Sequence, residues 1–371
     1  MRKTICLLAM LALLCGAALA EATDANWTYT SELTYPSGLL VFEDGIVASG
    51  ERGDAMEQSV ARLEIWRPGA TELDVYEGEA REGWVCRHAA RVGEGFAALN
   101  GKANEDDCVL EYTSQGSVVW RSDAIPGASR VHAVGETILV NSFPKLGSTR
   151  LLALDMDGNL LWTHDWDMHI HFEGIIAAEA GFLAYGWTDA GEELYPYAIC
   201  LDEGGGEVWR YEELERGEIV DAYCNGSETV LLAIPSRLIF LQNGFLTEVA
   251  EHPSITQDDR SVYQTALALT PWDGGYLIAV QLGHPFMDSC LVRQTDAQGN
   301  VLNEWRESFA GIVYSVDEAA FYIHDGTVYL AAYGKSPEAK ILETVNWSDP
   351  NSPNFTDFPS ILSITRATAI Q

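Results

Sequence analysis

The sequence predicts an all-β fold, a seven-bladed β-propeller of four-stranded antiparallel blades. Three observations favour it: a turn glycine that recurs along the chain, a second hairpin upstream of each of these turns, and the lack of useful helical periodicity between them. The recurring glycines, each preceded by a β-rich run, are Gly69, Gly116, Gly158, Gly205, Gly244 and Gly299. Their separations of 39 to 55 residues, in a chain of short strands, are typical of propeller blades.

The upstream hairpins set the number of blades. There are seven stretches in which a turn separates two apolar runs, among them "LLVFEDGIVASG", "ARVGEGFAALNG" and "FYIHDGTVYLAAY". Because two hairpins make one four-stranded blade, seven blades account for nearly all of residues 21–371 as one domain. The seventh downstream turn is degenerate, and we expect it at "KILETVNW", near residue 345.

An Asp-Gly stretch at residues 151–166, "LLALDMDGNLLWTHDW", has two interpretations. Asp155, Asp157 and Asn159 resemble the start of an acidic calcium loop, which needs oxygen ligands at alternating positions through about twelve residues. Apolar Leu160 and Leu161 stand where further ligands are required. An Asp-Gly pair between apolar runs is also a common hairpin turn. We therefore predict a turn between the third and fourth strands of a blade.

Residues 1–20, "MRKTICLLAMLALLCGAALA", have the basic start, apolar run and small-residue ending of a secretory signal. A membrane anchor is the alternative, although the apolar run is short for a membrane span. We expect cleavage after Ala20, a secreted or extracytoplasmic location and no membrane insertion of the mature chain.

The chain is strongly acidic, with 55 Asp and Glu against 22 Lys and Arg and a formal net charge of −33 at pH 7. Such a charge repels nucleic acids and keeps an exported protein soluble. We therefore predict a monomer whose partner is a protein or a carbohydrate and not a nucleic acid.

Five cysteines follow residue 20, and their spacings match no metal-binding motif. Because the number is odd, at most two disulfides can form. We predict a disulfide between Cys86 and Cys108, since the start of an inner strand and the start of a third strand lie at the same end of one blade. The pairing of the others stays open; they are Cys200, Cys224 and Cys290.

A tryptophan follows the turn glycine by four positions in three repeats. The pairs are Gly116 with Trp120, Gly158 with Trp162, and Gly205 with Trp209. With "ALDMDGNLLW" and "CLDEGGGEVW", this pattern resembles the pyrroloquinoline-quinone-type propeller repeat, Ala-x-Asp-x-x-Thr-Gly-x-x-x-Trp. The resemblance implies that these indoles dock against neighbouring blades. It does not extend to the quinone, because the chain has no adjacent Cys-Cys pair, so we expect no cofactor.

The inner strands of a propeller begin at the face where the links between blades gather, so polar residues at these points line a shared pocket. We predict ligand-binding residues there: Arg87, His88, Arg130, His132, Asp221, Tyr263 and Tyr314. Trp187, in the stretch "YGWTDAGEELYPYA", is a further candidate, since exposed aromatics beside carboxylates suit sugar stacking or protein docking. The alternative is that the aromatics of this stretch pack between blades.

The stretch "HDWDMHIHFE" is the densest cluster of metal-ligand residue types. In an extended chain, His169 and His171 project to the same side, as a metal-binding pair would. The alternative is that these side chains are hydrogen-bonded or solvated around a buried Trp166.

Familiar catalytic motifs are missing: the sequence has no Gly-x-Ser-x-Gly, no phosphate-binding loop and no His-Glu-x-x-His. We therefore predict a non-catalytic binding or scaffold module for a protein or glycan. The alternative is a hydrolase or lyase that uses carboxylates of the same face, with a metal held by His169 and His171.

Overall fold

In the computed structural model of the protein, the recurring glycines join the third strand of a blade to the fourth. The structure describes residues 27–367 except 34, 43, 55–57, 80, 103–104, 190–192, 214, 253–255, 258–259, 262–263, 283–288, 310–313, 337 and 340–357. The φ angles of these six glycines lie between 75° and 83°. This left-handed conformation costs glycine nothing sterically, which is why the residue recurs at this place in the blade.

The described residues contain thirty-one strands, and all but two of them belong to seven blades. Strand β1 (Trp27–Ser31) precedes blade 1, which contains β2 (Tyr35–Phe42), β3 (Gly45–Asp54), β4 (Gln58–Trp66) and β5 (Asp74–Glu77), with β6 (Arg81–Glu82) also paired to β4. Blade 2 contains β7 (Trp84–Val92), β8 (Gly95–Lys102), β9 (Cys108–Ser114) and β10 (Ser117–Ile125). Blade 3 contains β11 (Ala128–Val134), β12 (Thr137–Ser142), β13 (Thr149–Leu154) and β14 (Leu160–Trp166). Blade 4 contains β15 (Ile170–Ala178), β16 (Gly181–Asp189), β17 (Leu194–Asp202) and β18 (Glu207–Glu212).

The remaining blades repeat this arrangement. Blade 5 contains β19 (Ile219–Asn225), β20 (Glu228–Ala233), β21 (Arg237–Gln242) and β22 (Phe245–Glu251), and a small hairpin of β23 (Thr256–Gln257) and β24 (Arg260–Ser261) follows it. Blade 6 contains β25 (Gln264–Trp272), β26 (Gly275–Leu282), β27 (Ser289–Thr295) and β28 (Val301–Ser308). Blade 7 contains β29 (Tyr314–His324), β30 (Thr327–Lys335) and β31 (Ser360–Arg366). The seven-bladed propeller predicted from the sequence is confirmed.

The N-terminal strand closes the ring. Strand β1 pairs antiparallel with β31, from Trp27 opposite Ile364 to Ser31 opposite Ser360, and so becomes the outermost strand of blade 7. The ring of Trp27 lies 5.7 Å from that of Trp66 in blade 1, between centroids. The last blade therefore combines both ends of the described chain, a feature that the repeat pattern left open.

The hydrophobic core lies in layers between neighbouring blades. Between blades 4 and 5, for example, Leu183 and Tyr185 pack with Ile219 and Leu231. The second strands β8 and β12 are largely buried on both faces, whereas the fourth strand β10 has mostly exposed and half-buried side chains. Each blade thus depends on its neighbours for burial of its apolar surface, as expected of a repeat architecture.

The three repeat tryptophans dock on the next blade. A Cβ atom added at Gly158 would lie 2.9 Å from the indole of Trp120. Equivalent close contacts join Trp162 to Gly205 and Trp209 to Gly244. A side chain at these glycines would collide with the indole, so glycine is required both for the turn and for the docking. The docking role predicted for these tryptophans is confirmed.

The Asp-Gly stretch is a turn, as predicted, and the side chain of Asp155 accepts hydrogen bonds from the backbone of the turn. Asp155 Oδ1 accepts hydrogen bonds from the backbone N–H groups of Asp157, at 2.9 Å, and Asn159, at 2.8 Å. Asp202 and Asp296 accept equivalent bonds in blades 4 and 6. Hydrogen bonds from Asn159 hold the pKa of Asp155 below its usual value. The carboxylate stabilises the turn from within.

The predicted Cys86–Cys108 disulfide is wrong. All five cysteines of the described chain are outside disulfide bonds. Cys86 packs in the core layer between blades 1 and 2, whereas Cys108 packs in the layer between blades 2 and 3. The two thiols therefore lie on opposite faces of one sheet, where no bridge can form.

Some predictions concern parts of the chain outside the described residues. These are the signal at residues 1–20, the degenerate turn "KILETVNW" and the candidate ligand residue Tyr263. Within the described part of the chain, no helix is long and apolar enough to cross a membrane.

Candidate functional site at the central channel

A β-bulge in the inner strands of blades 1 to 6 determines which residues face the channel. In blades 1 to 6 the pairing of the first two strands shifts register between Pro36 and Gly38, Cys86 and His88, Ala128 and Arg130, Phe172 and Gly174, Ile219 and Asp221, and Ala266 and Ala268. A bulge adds one residue to a strand and changes the direction of the side chains around it. The residue after the bulge occupies an equivalent position in these six blades, and it is polar in blades 2, 3 and 5. His88, Arg130 and Asp221 therefore meet at one level of the ring.

The inner strands enclose a cavity of about 550 Å³. Its ionisable and phenolic lining residues come from blades 2 to 5: His88, Arg130, His132, Glu173, Tyr185, Asp221 and Tyr223. Its described apolar lining comes from every blade except blade 2 and includes Leu40, Val41, Phe42, Ile175, Ile176, Val220, Leu269, Pro271 and Phe321. This volume is in the range of small-molecule sites.

Arg130 and Glu173 form an ion pair across blades 3 and 4. Arg130 Nη1 lies 2.7 Å from Glu173 Oε2 and also donates to the Glu173 carbonyl oxygen at 3.2 Å. The other carboxylate oxygen, Oε1, accepts the indole N–H of Trp187 at 3.2 Å. Because both side chains are only partly exposed, the pair fixes the guanidinium at the cavity wall.

His132 is buried next to Arg130 and exposes only 8% of its surface. Its ring centroid lies 5.8 Å from that of His88. Burial, and then the nearby His88 and Arg130, hold the pKa of His132 well below its usual value, so the ring is neutral at pH 7. Within the described part of the chain, its Nε2 atom has no hydrogen-bond partner. Burial of a polar atom without a hydrogen-bond partner costs free energy.

Asp221 links blades 5 and 6 at the same level. Its Oδ2 accepts the backbone N–H of Leu269 at 2.7 Å, and its Oδ1 accepts that of Ala222 at 2.8 Å. The hydroxyl of Tyr185 in blade 4 lies 3.4 Å from Oδ1. Burial raises the pKa of Asp221 to about 6, in spite of these bonds. The carboxyl group is thus half-protonated near pH 6 and mostly ionised at pH 7.

His169, which precedes β15, and His171, within it, lie on the same side of the chain, as predicted, but within an aromatic stack. The ring of His171 lies between those of Trp187, at 4.9 Å, and Phe143, at 6.3 Å. His169 Nδ1 lies 2.7 Å from Asp189 Oδ2, whereas His171 Nε2 lies 3.3 Å from Glu173 Oε1. Burial lowers the pKa of His171 to about 4, so its ring is neutral.

The described residues contain no cluster of three or more His, Cys, Asp or Glu side chains that could hold a metal ion. Each of the two histidines contacts a different carboxylate, and Trp187 and Phe143 occupy the space beside the rings. The metal site at His169 and His171 stays a prediction.

The structure brings four of the predicted ligand residues to the cavity wall: His88, Arg130, His132 and Asp221. Arg87 is the extra residue of its bulge and donates instead to the carbonyl oxygen of Glu105. Trp187 lies at the rim and reaches the cavity through Glu173. The backbone of Tyr314 pairs with Lys335 at the start of β29.

Sequence reasoning missed some of the wall residues, among them Glu173 and Tyr185. Glu173 belongs to the histidine cluster noted in the sequence, and that proximity was the available signal for it. Tyr185 and Tyr197 are buried between blades, as the alternative interpretation of the aromatic stretch proposed. Tyr185 still reaches the cavity with its hydroxyl group.

Comparisons with solved structures agree with this architecture. The β-propeller domain of Cps50 (Swd1) from Myceliophteria thermophila has a TM-score of 0.53 at 10% identity, covering 92% of this chain and 100% of the other. Sqt1 from Chaetomium thermophilum has a TM-score of 0.51 at 11% identity, covering 82% of this chain and 80% of the other. The shared feature is the fold. Sqt1 from Saccharomyces cerevisiae has a TM-score of 0.51 at 9% identity, covering 91% and 97%.

No protein-family model matches the sequence, and no curated protein matches it either. At such low sequence identities, the similarity to other propellers is evidence for the shared fold alone. The chemistry of the channel is therefore the basis for any functional conclusion.

Proposed function

We propose that this protein is an exported, non-catalytic binding or scaffold module that binds a protein or glycan where the inner strands begin. The observation that carries the proposal is the convergence of His88, Arg130, Glu173 and Asp221, from four consecutive blades, on one cavity. Sites with a few convergent polar groups in a concave, largely apolar wall are typical binding sites. The half-buried indole of Trp187 at the rim adds a surface that suits sugar rings and protein side chains.

Export is supported by the signal-like residues 1–20 and by the acidic composition. Docking of the repeat tryptophans on neighbouring blades supports kinship with the non-catalytic branch of the pyrroloquinoline-quinone-type propellers. We expect a monomer, because a net charge of −33 opposes self-association.

Arrays of glycans and of peptides, probed with the mature protein and with Trp187→Ala, test the proposal. We expect selective binding to one class of ligand and at least about tenfold weaker binding by the variant, since aromatic anchors dominate binding surfaces. Arg87→Ala is the matched control, because Arg87 lies on an inner strand but does not line the cavity. Equal binding by the wild type and Trp187→Ala would show that the ligand binds away from Trp187.

Asp221 is the observation that favours the alternative, a hydrolase or lyase. A carboxyl group with a pKa of about 6 is suited to general acid–base chemistry near neutral pH. Its oxygens already accept bonds from Leu269, Ala222 and Tyr185, which favours a structural role. An activity against glycosides, lactones or acidic polysaccharides that shows an inflection near pH 6 and is lost in Asp221→Asn would establish the alternative.

A further inference from the structure

The junction between blades 1 and 2 lacks the docked indole that closes the next three junctions. A Cβ atom added at Gly158, Gly205 or Gly244 would lie 2.9, 2.5 or 2.4 Å from the indole of the preceding blade. At the equivalent Gly116 of blade 2, an added Cβ atom would have no atom of the described chain within 4 Å. The surface of this turn is therefore open where the three other turns are covered.

Two further junctions are closed without a repeat tryptophan. A Cβ atom added at Gly299 of blade 6 would lie 2.6 Å from Ala250 of blade 5. At the turn of blade 1, the hydroxyl of Tyr29 from the closing strand donates to the carbonyl oxygen of Ala70 at 2.9 Å. Each of these junctions thus has a side chain of the preceding blade against its turn.

The strand register of blade 1 accounts for the opening. The repeat tryptophans lie opposite the third-strand residues Tyr112, Ala153 and Cys200. Each of these pairs in turn with the third residue of a second strand, and the corresponding residue of blade 1 is Ile65. Ile65 lies opposite Asp74, an exposed residue whose carboxylate forms an ion pair with Arg67 of the same blade. Blade 1 thus has a short acidic side chain at the position of the indole.

The open position is a notch of about 680 Å³ at the outer strand of blade 2. Its described lining includes Gly78, Glu79, Thr113, Gly116, Val119 and Arg121. Val119 exposes 60% of its surface. Arg121 donates through Nε to Oε1 of the buried Glu111 at 2.6 Å and pairs with Glu79, which fixes its guanidinium. An apolar surface next to a fixed, planar guanidinium suits the face of an aromatic ring.

The turn at Gly116 has the backbone conformation of a turn that already binds an indole. The φ angles of Gln115 and Gly116 are 50° and 75°, and those of Asn243 and Gly244 are 52° and 80°. Both pairs form two-residue turns between a third and a fourth strand. Trp209 covers the second of these turns. The same backbone surface is therefore available in blade 2 for an aromatic side chain from outside the propeller.

We propose that the notch binds a tryptophan side chain of a partner protein, in the way that the repeat tryptophans bind within the chain. The net charge of −33 favours a partner in which this tryptophan lies in a basic segment, and it opposes docking of a second copy of the chain. The inference goes beyond the proposed function, because the residues described for the notch are different from those described for the channel cavity.

Three capped tripeptides of equal charge test the chemistry of the notch: Ac-Lys-Trp-Lys-NH2, Ac-Lys-Leu-Lys-NH2 and Ac-Lys-Ala-Lys-NH2. Nuclear magnetic resonance titrations of the labelled mature protein follow the amide signals of Gly116 and Gly158. The tryptophan peptide is expected to shift the Gly116 signal and to bind at least about fivefold more tightly than the leucine peptide, because aromatic anchors bury more surface. The Gly158 signal should not move, since Trp120 covers that glycine. Equal affinities of the tryptophan and leucine peptides, or no shift at Gly116, would overturn the proposal.

A substitution that closes the notch from within gives the second test. Asp74→Trp places an indole at the position of the repeat tryptophans, so it should raise the melting temperature and abolish the shift at Gly116. Glu248→Trp is the matched control: Glu248 lies opposite Phe240 at the equivalent position of blade 5, where Gly299 is already covered. It removes the same charge and should change neither quantity.

A milder pair of variants assigns the peptide to the notch without a new aromatic side chain. Val119→Asn is expected to weaken binding of the tryptophan peptide by at least about threefold, because apolar contact surface is lost. Leu161→Asn, three residues after the turn glycine of blade 3 and similarly exposed, should have no effect. Binding that is unaffected by both Asp74→Trp and Val119→Asn would overturn the assignment.

Further outcomes separate the occupants and the two proposals. A dimer in sedimentation experiments that is lost in Asp74→Trp would assign the notch to a second copy and overturn the proposal of a partner. A tryptophan-containing array ligand whose binding is lost in Asp74→Trp and retained in Trp187→Ala would support the notch. Loss of array binding in Trp187→Ala with no shift at Gly116 would support the proposed function and overturn this inference.

Discussion

The indole N–H of Trp162 donates to the backbone carbonyl oxygen of Glu203, 2.8 Å away in the next blade. Trp120 makes the equivalent bond with Met156, also at 2.8 Å. Each indole thus joins the outer strand of one blade to the third-to-fourth strand turn of its neighbour. These contacts connect consecutive blades at their periphery, where the strands are otherwise exposed.

Replacement of Trp162 by Ala is expected to lower the free energy of unfolding by about 2 kcal/mol, less than for a fully buried aromatic because the indole is half-exposed. Urea denaturation measures the change. Asp157→Ala is the control: Asp157 supplies its backbone N–H to Asp155, a bond that alanine retains. A larger loss in Asp157→Ala, restored by calcium, would contradict the assignment of this stretch as a turn.

Asp221 is expected to make stability depend on pH between 4 and 6. Its pKa of about 6 in the folded protein lies above the ordinary value of 3.8, so the folded state binds more protons in this range. Stability therefore falls as pH rises through the range, by at most about 3 kcal/mol, and the loss is nearly complete by pH 7. Denaturation of wild type and Asp221→Asn at pH 4, 5, 6 and 7 measures it. A constant difference between the two proteins would contradict the raised pKa.

All five cysteines of the mature chain are expected to be thiols. Burial raises the pKa of Cys290 to about 12 and that of Cys200 to about 11, which keeps both unreactive in the folded protein. Alkylation without reductant should therefore be slow in the native state and should modify five sites after denaturation. Mass spectrometry that found Cys86 and Cys108 linked would contradict their placement on opposite faces of blade 2.

Closure of the ring depends on β1. Trp27→Ala is expected to lower the free energy of unfolding by about 2 to 3 kcal/mol, because its ring packs against those of Trp66 and Tyr329. Thr30→Ala, on the exposed face of the same strand, should cost little. Equal effects of the two substitutions in thermal denaturation would show that β1 is not required for closure.

The sequence by itself determined the fold and the number of blades, because both follow from short-range regularities. A left-handed turn requires Gly158 and its equivalents, and two hairpins per repeat require a four-stranded sheet. The position of Trp162 after the turn glycine was sufficient to predict its docking, since the same local geometry recurs in each blade.

The tertiary structure alone decided which side chains share the channel. The bulge that directs His88 and Arg130 to the cavity and leaves Arg87 outside depends on strand register, and no residue pattern marks it. The placement of two cysteines on opposite faces of blade 2, the pairing of Arg130 with Glu173 and closure by β1 likewise join positions far apart in the chain. Local periodicity fixes which strands form, whereas the direction of a side chain across neighbouring strands is fixed only when those strands pack.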